Sequence, residues 1–155
     1  MKLFVIPKGS KFVVNDDKDK RLYTVKKKTF GNKFVLLDQN EYELYSLEQT
    51  VNDKKPIFEI VLNDSSFLFM RCLSVFLDPS FECYGNGMNF LLKSKDRKNF
   101  EMVKDGHNVG YLKTVTMMTG ELQYEIEIEN IDFDDYIPLF AIAIDRAFGD
   151  INKSK

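Results

Sequence analysis

The chain contains no tryptophan, one histidine, two cysteines and four prolines in 155 residues. His107 follows the Lys104-Asp105-Gly106 turn with no Ser or Cys motif beside it. A hydrolase needs a nucleophile, a base and a group to orient the base, so that chemistry lacks its parts. His107 reads as a solvent-exposed loop residue. Cys72 and Cys83 form no CxxC pair, and with one histidine they offer zinc no ligand set. Both lie in apolar, strand-like contexts and read as buried free thiols, near neighbours if Asp78-Pro79-Ser80 turns a hairpin. No GxGxxG, P-loop or GxSxG sequence occurs, which removes the common nucleotide and esterase signatures. No apolar span reaches 18 residues, and the apolar run Leu3–Ile6 of the opening MKLFVIPKGS is broken by Pro7. That is too short for a signal peptide core or a membrane span. The expectation is a cytoplasmic, non-enzymatic protein with no cofactor, no metal and no transmembrane segment.

What is present is aromatic and apolar. Phe occurs 14 times and Tyr 7 times, with 44% hydrophobic and 30% charged residues. This composition fits one globular domain large enough to bury a core. The net charge is −2, so no overall basic field draws the chain to nucleic acid. The charge is uneven: residues 1–77 hold 13 basic and 10 acidic groups, residues 78–155 hold 9 and 14. Glu121 to Asp135 holds seven carboxylates and no Lys or Arg, a pattern expected of a solvated strand face followed by a helix start. Glu129, Asp132, Asp134 and Asp135 are the residue types calcium prefers. No glycine-containing ligand loop accompanies them, and helix capping accounts for the aspartates. No pair among the many acids is singled out for glycoside hydrolysis.

Tyr136 to Phe148 (YIPLFAIAIDRAF) is the most informative stretch. Its first nine residues are apolar on every face of a helix, and such a helix is buried on all sides. About 13 residues reach only ~20 Å, short of a ~30 Å hydrocarbon core. Almost everything upstream reads as strand. About twelve candidates run from Leu3–Ile6 to Tyr124–Glu129, separated by turns such as Asn63-Asp64, Asp78-Pro79-Ser80 and Gly85-Asn86-Gly87. An aromatic followed by Glu or Val and a hydrophobe recurs at Phe34, Phe58, Phe81, Phe100 and Tyr124, as one hairpin per repeat would require. A meander that leaves no edge closes into a barrel. An eight-stranded barrel is filled by its own side chains, so enclosing a helix ~10–12 Å across needs more strands. The fold class expected is therefore mainly β (α+β): a closed antiparallel barrel of about twelve strands around a hydrophobic C-terminal helix. Asp134 or Asp135 would cap that helix and Gly149 would stop it. Residues 1–150 then form one domain and 151–155 a short polar tail.

Four stretches resemble the LURP-one-related family, whose members share the tubby C-terminal-like fold. They are the run from Tyr23 to Asp38, Tyr84-Gly-Asn-Gly-Met-Asn-Phe90, Asn99-Phe-Glu-Met-Val-Lys-Asp-Gly106, and Tyr124-Glu-Ile-Glu-Ile with Ala143-Ile-Asp-Arg146. The resemblance covers nearly the whole chain and implies a twelve-stranded barrel around a hydrophobic helix. Relatives of that fold include phosphoinositide-binding tubby proteins and phospholipid scramblases. No tubby head-group motif matches here, so no binding residue is carried over. In the family pattern, small, polar and basic residues face outward over 67–77. Here the segment reads Phe-Leu-Phe-Met-Arg-Cys-Leu-Ser-Val-Phe-Leu.

Two candidate sites follow. Lys18, Lys20, Arg21, Lys26 and Lys28 could form a patch for anionic lipid head groups or an acidic protein, although lysines also solubilise and protect strands. Strand alternation puts Lys27 opposite to Lys26 and Lys28, so Lys27 must lie near a barrel end or be locally twisted outward. In 67–77, Leu68, Met70 and Cys72 would point inward, leaving Phe67, Phe69, Leu73 and Val75 outside with Arg71. Such a patch is an interface for a partner or a second copy unless another segment covers it. The leading expectation is a binding or scaffold domain of unknown partner. The alternative is a peripheral phospholipid or phosphoinositide head-group binder, and an enzyme of unknown class comes third.

Overall fold

The structure, a computed structural model, describes residues 1–28, 32–51 and 53–153. Thr29, Phe30 and Gly31 of the family-like opening hairpin, and Ser154 and Lys155 of the tail, lie outside the described residues. Twelve strands follow in chain order: β1 (Lys2–Lys8), β2 (Lys11–Asp16), β3 (Arg21–Lys27), β4 (Lys33–Leu37), β5 (Glu43–Val51) and β6 (Ile57–Leu62). They continue as β7 (Ser65–Ser74), β8 (Ser80–Gly85), β9 (Met88–Ser94), β10 (Asn99–Lys104), β11 (His107–Thr116) and β12 (Leu122–Ile128). Each pairs antiparallel with the next, and β1 closes the barrel on β12 from Lys2↔Glu127 to Val5↔Tyr124. Among the described residues no strand edge is left to pair with another chain.

Period-two alternation decides what enters the barrel. On β12, Tyr124, Ile126 and Ile128 are buried while Glu125 and Glu127 face out. The recurring aromatics fall on every even-numbered strand from β4 to β12, and all five are buried. Each hairpin thus contributes one ring to the interior. Phe81 and Phe100 meet Phe148 of the helix at ring-centre distances of 5.8 and 5.6 Å.

The helix, α1 (Pro138–Lys153), fills the barrel. Ile137, Phe140, Ile142, Ile144 and Phe148 have no exposed surface, and each buried side chain of this size stabilises by roughly 1.5–3 kcal/mol. Tyr136 plugs the entrance against the rings of Tyr45, Phe67, Phe90 and Phe140. Two expectations about the helix ends are corrected. Asp134 and Asp135 do not cap it; it starts at Pro138, and Asp135 instead accepts the Tyr23 hydroxyl of β3. Gly149 does not stop it, because the helix continues to Lys153 with Gly149 and Asn152 buried. Asn152 Nδ2 donates to the Arg97 carbonyl of the β9–β10 turn at 2.9 Å. Ile151, Asn152 and Lys153 therefore belong to the core helix and not to a polar tail. Satisfying a buried amide at the barrel wall outweighs the ~1 kcal/mol that glycine costs inside a helix.

Candidate binding surfaces at the barrel ends and wall

Antiparallel order sorts the loops into two sets. Connections from odd to even strands lie at one end, and those from even to odd strands lie at the other. The first set is basic. Lys8 and Lys11 flank the β1–β2 turn, and Lys28 and Lys33 flank the β3–β4 connection. Lys54 and Lys55 stand in the β5–β6 connection, and Lys95, Arg97 and Lys98 in the β9–β10 turn. The acids of the six connections at this end are Asp53, Asp78, Asp96 and Glu121. The second set is acidic: Asp16, Asp17 and Asp19, then Asp38 and Glu41, Asp64, Asp105, and Glu129 to Asp135 before the helix.

The basic end also carries bare apolar tips. In the β7–β8 connection Phe76 is 67% and Leu77 84% exposed, and Met118 of the β11–β12 turn is fully exposed. Arg97 lies 5.6 Å from the Phe76 ring centre, holding a cation against it. Asp96 organises that turn, accepting from the Lys98 and Asn99 N–H groups and from the Asn99 and Ser94 side chains. Burial pushes its carboxyl up, but these donors prevail and hold it at about 2.

The five basic residues picked from sequence do not meet. Lys18, Lys20 and Arg21 stand at the acidic end, where the Lys20 and Lys18 N–H groups donate to Asp16 and lower its pKa. Lys26 and Lys28 lie at the far end of β3. Five residues at ~3.3 Å separate Arg21 from Lys26 by roughly 17 Å, and Lys26 pairs with Glu41 at 3.3 Å. Sequence proximity along one strand is separation in space. Of the two places the alternation leaves Lys27, it takes the barrel end: an inward register position at the basic mouth, with Nζ 6.0 Å from the Phe34 ring centre.

The β7 wall is corrected in part. Leu68, Met70 and Cys72 point inward, and Phe69 and Leu73 are 39% and 37% exposed outside. Phe67 is turned in by the register shift between Ile60 and Val61 of β6, and its ring packs on Tyr45 and Tyr136. Gly85 makes room for it, since a Cβ there would strike the Phe67 carbonyl oxygen. Val75 is buried because the register shifts again between Cys72 and Ser74. The outer patch is completed by Tyr84, stacked on Phe69 at 5.8 Å, and by an Arg71–Glu82 ion pair of 3.0 Å. Phe76 and Leu77 fall inside the strand candidate 67–77, and Met118 lies between strand candidates, so the sequence pattern marks none of the three as an exposed tip. The adjacent pair Phe76-Leu77 just before Asp78-Pro79 was the available signal, since neighbours on a strand cannot both face inward.

His107 is exposed at the first position of β11 and not in a loop. Cys72 and Cys83 are free and buried on β7 and β8, and burial raises the Cys72 thiol to about 11. Asp132 pairs with Lys104 at 3.5 Å and Asp135 with Tyr23, so these two carboxylates are engaged separately. A groove of about 570 Å³ at the basic end is lined by Asp78, Lys93, Lys95, Asp96 and Glu101, mixing both signs.

The geometry defines a class first: a closed antiparallel barrel filled by its own helix, with its accessible chemistry on loop ends and outer wall. A family model described as LURP-one-related matches residues 1–144, and the chain belongs to that family. No curated protein matches it. Among solved structures, the X-ray structure of a protein from Arabidopsis thaliana is similar, at 17% identity over 97% of this chain and 90% of that one, with a TM-score of 0.44.

Proposed function

We propose that this is a non-enzymatic binding domain that docks on an anionic phospholipid surface through the basic end of its barrel. The observation that carries this reading is the conjunction of Phe76, Leu77 and Met118, bare to solvent, with the lysine-bearing connections around them. Each basic side chain near an anionic leaflet contributes about 1 kcal/mol. Burying Phe76 or Leu77 in the interface adds roughly 1.5–3 kcal/mol. Two such signals together give reversible attachment that neither gives alone. The interior supports the non-enzymatic part, since the helix occupies the space a substrate would need. Two unpaired thiols support a cytoplasmic setting. No helix among the described residues is long and apolar enough to cross a membrane.

Co-sedimentation with phosphatidylserine vesicles tests it. The protein is expected to bind at low salt, release at high salt, and lose binding in a Leu77→Asp, Met118→Asp variant that keeps its melting profile. Absence of the wild-type protein from vesicle pellets at low salt sinks the proposal. A second reading, self-association through β7, is favoured by the exposed Phe69–Tyr84 stack. In a two-fold contact one copy's Arg71 would meet the other's Glu82.

A further inference from the structure

The mouth of the barrel at its basic end gathers two cations around one ring. Phe34 of β4 is buried and points inward. The register sets Lys27 of β3 directly beside it on one side and Leu47 of β5 on the other. Gln49, two residues further along β5, lies one step nearer the mouth. Arg146 reaches this corner from the helix, its guanidinium carbon 5.7 Å from the Phe34 ring centre, while Lys27 Nζ lies 6.0 Å from the same point. Arg146 is anchored by neutral oxygens. Its Nε and Nη2 each donate to Gln49 Oε1 at 3.2 Å, and Nη2 also donates to Asn32 Oδ1 at 3.4 Å.

Among the described residues neither Lys27 nor Arg146 forms an ion pair. The carboxylate next to Arg146 in sequence, Asp145, lies ~100° around the helix and accepts from Tyr124 on β12 instead. Two cations lie within 6.0 Å of one ring centre, and the hydrogen bonds that fix the guanidinium come from neutral groups. Such an arrangement raises its own energy through repulsion and lowers it when an anion enters between the charges. A guanidinium held by its edge, with an ammonium at the same ring, is suited to a tetrahedral dianion, since arginine offers paired N–H donors and lysine a point charge.

We infer that Lys27 and Arg146, set around Phe34, form a site for the phosphate of a phosphomonoester. The inference deepens the lipid-docking reading, because on a bilayer the group supplied would be the exposed phosphomonoester of a lipid such as phosphatidic acid. The chemistry of the site is equally that of a soluble phosphate ester, and the experiment separates the two sources.

Wild-type protein, Lys27→Gln and Arg146→Gln are compared on vesicles of phosphatidic acid and of phosphatidylserine at matched surface charge. In parallel, inorganic phosphate is titrated while the Arg146 Nε–Hε resonance is followed by NMR. Charge-assisted hydrogen bonds to one phosphate predict a preference for phosphatidic acid of about tenfold. Either substitution is expected to abolish that preference while leaving phosphatidylserine binding in place, since the remote lysines and apolar tips remain. Lys27 is exposed and its side chain makes no hydrogen bond among the described residues, so its variant reports on the site even if Arg146→Gln unfolds. A saturable phosphate shift at Arg146 without lipid preference assigns the site to a soluble ester and upholds it. Loss of all vesicle binding with that shift retained overturns the docking reading alone. A wild type with neither the preference nor a saturable shift overturns the site.

Discussion

Tyr124 of the last strand donates its hydroxyl to Asp145 of the core helix at 2.6 Å. This bond joins the closing strand of the barrel to the helix inside it, and it places a carboxylate where water is largely excluded. Burial raises the Asp145 pKa above the ordinary carboxylate value, against the Tyr124 hydrogen bond and the charges of Lys153 and Arg146, which lower it. A raised folded-state pKa means that the native state favours the protonated acid. The contribution of Asp145 to stability is therefore fully present below its unfolded pKa and is lost as pH rises through the folded one.

Asp145→Asn tests this directly. The amide oxygen still accepts from Tyr124, but the ionisation cost is gone. At neutral pH the variant is expected within about 1 kcal/mol of wild type and on its more stable side, and the gap should close on acidification toward the ordinary carboxylate pKa. Asp145→Ala strands the Tyr124 hydroxyl and should cost about 1–3 kcal/mol at every pH. Urea unfolding across pH measures all three. Other acids titrate alike in each protein and cancel in the differences. An Asn variant less stable than wild type at neutral pH contradicts the assignment.

The enclosed helix makes a sharper prediction. Ile142 has no exposed surface, and its neighbours on the helix are equally buried. An aspartate there is a charge without a partner in an apolar interior, at a cost of several kcal/mol against a total stability of about 5–15 kcal/mol. Ile142→Asp should fail to fold, by circular dichroism and by loss of a cooperative melt. A soluble, cooperatively melting variant would remove the helix from the barrel core.

The architecture was legible because three signals agreed. Residues Tyr136 to Ile144 could be helical only inside a container, the aromatics from Phe34 to Tyr124 recurred once per hairpin, and turn residues separated about twelve apolar runs. The helix ends were less legible. Asp135 carries the right chemistry for a cap, and nothing local reveals that Tyr23, 112 residues earlier, would claim it. Gly149 reads as a stop until the wall partner of Asn152 is known. Register shifts are the other gap. One extra residue beside Ile60 turned Phe67 inward, and a one-residue slip moves every side chain after it to the opposite face. The polarity of the two ends is written in the turns, but only strand order assigns each turn to its end.

The outer wall of β7 offers its own test. If two copies meet there, Phe69→Lys with Leu73→Lys should yield a monomer of undiminished stability, because side chains already more than one third exposed in the monomer lose little by becoming polar. Analytical ultracentrifugation over a range of concentrations follows the association, and thermal melts follow the fold. A wild type that stays monomeric at high concentration, with a destabilised double variant, counts against the contact and assigns these residues to the monomer's own packing.

Charge reversal at the two ends separates a docking surface from a general attraction of lysines to anionic lipid. Lys54→Glu, Lys55→Glu and Lys95→Glu alter the basic end, near Phe76 and Leu77. Lys18→Glu, Lys20→Glu and Arg21→Glu change net charge equally at the acidic end, beside Asp16, Asp17 and Asp19. Both sets lie on exposed positions and should shift stability by no more than about 0.5 kcal/mol per site, which urea unfolding verifies. Non-specific attraction depends on net charge alone, so both triple variants would then lose vesicle binding alike. A docked orientation depends on which charges face the leaflet, because exposed charges more than ~8–10 Å from the surface are screened at physiological salt. The first variant should lose about 3 kcal/mol of binding, at about 1 kcal/mol per removed cation, with some further loss from the added carboxylates. The second should bind within a few-fold of wild type. Equal losses at both ends would leave the apolar tips without an assigned role and the barrel without a preferred orientation.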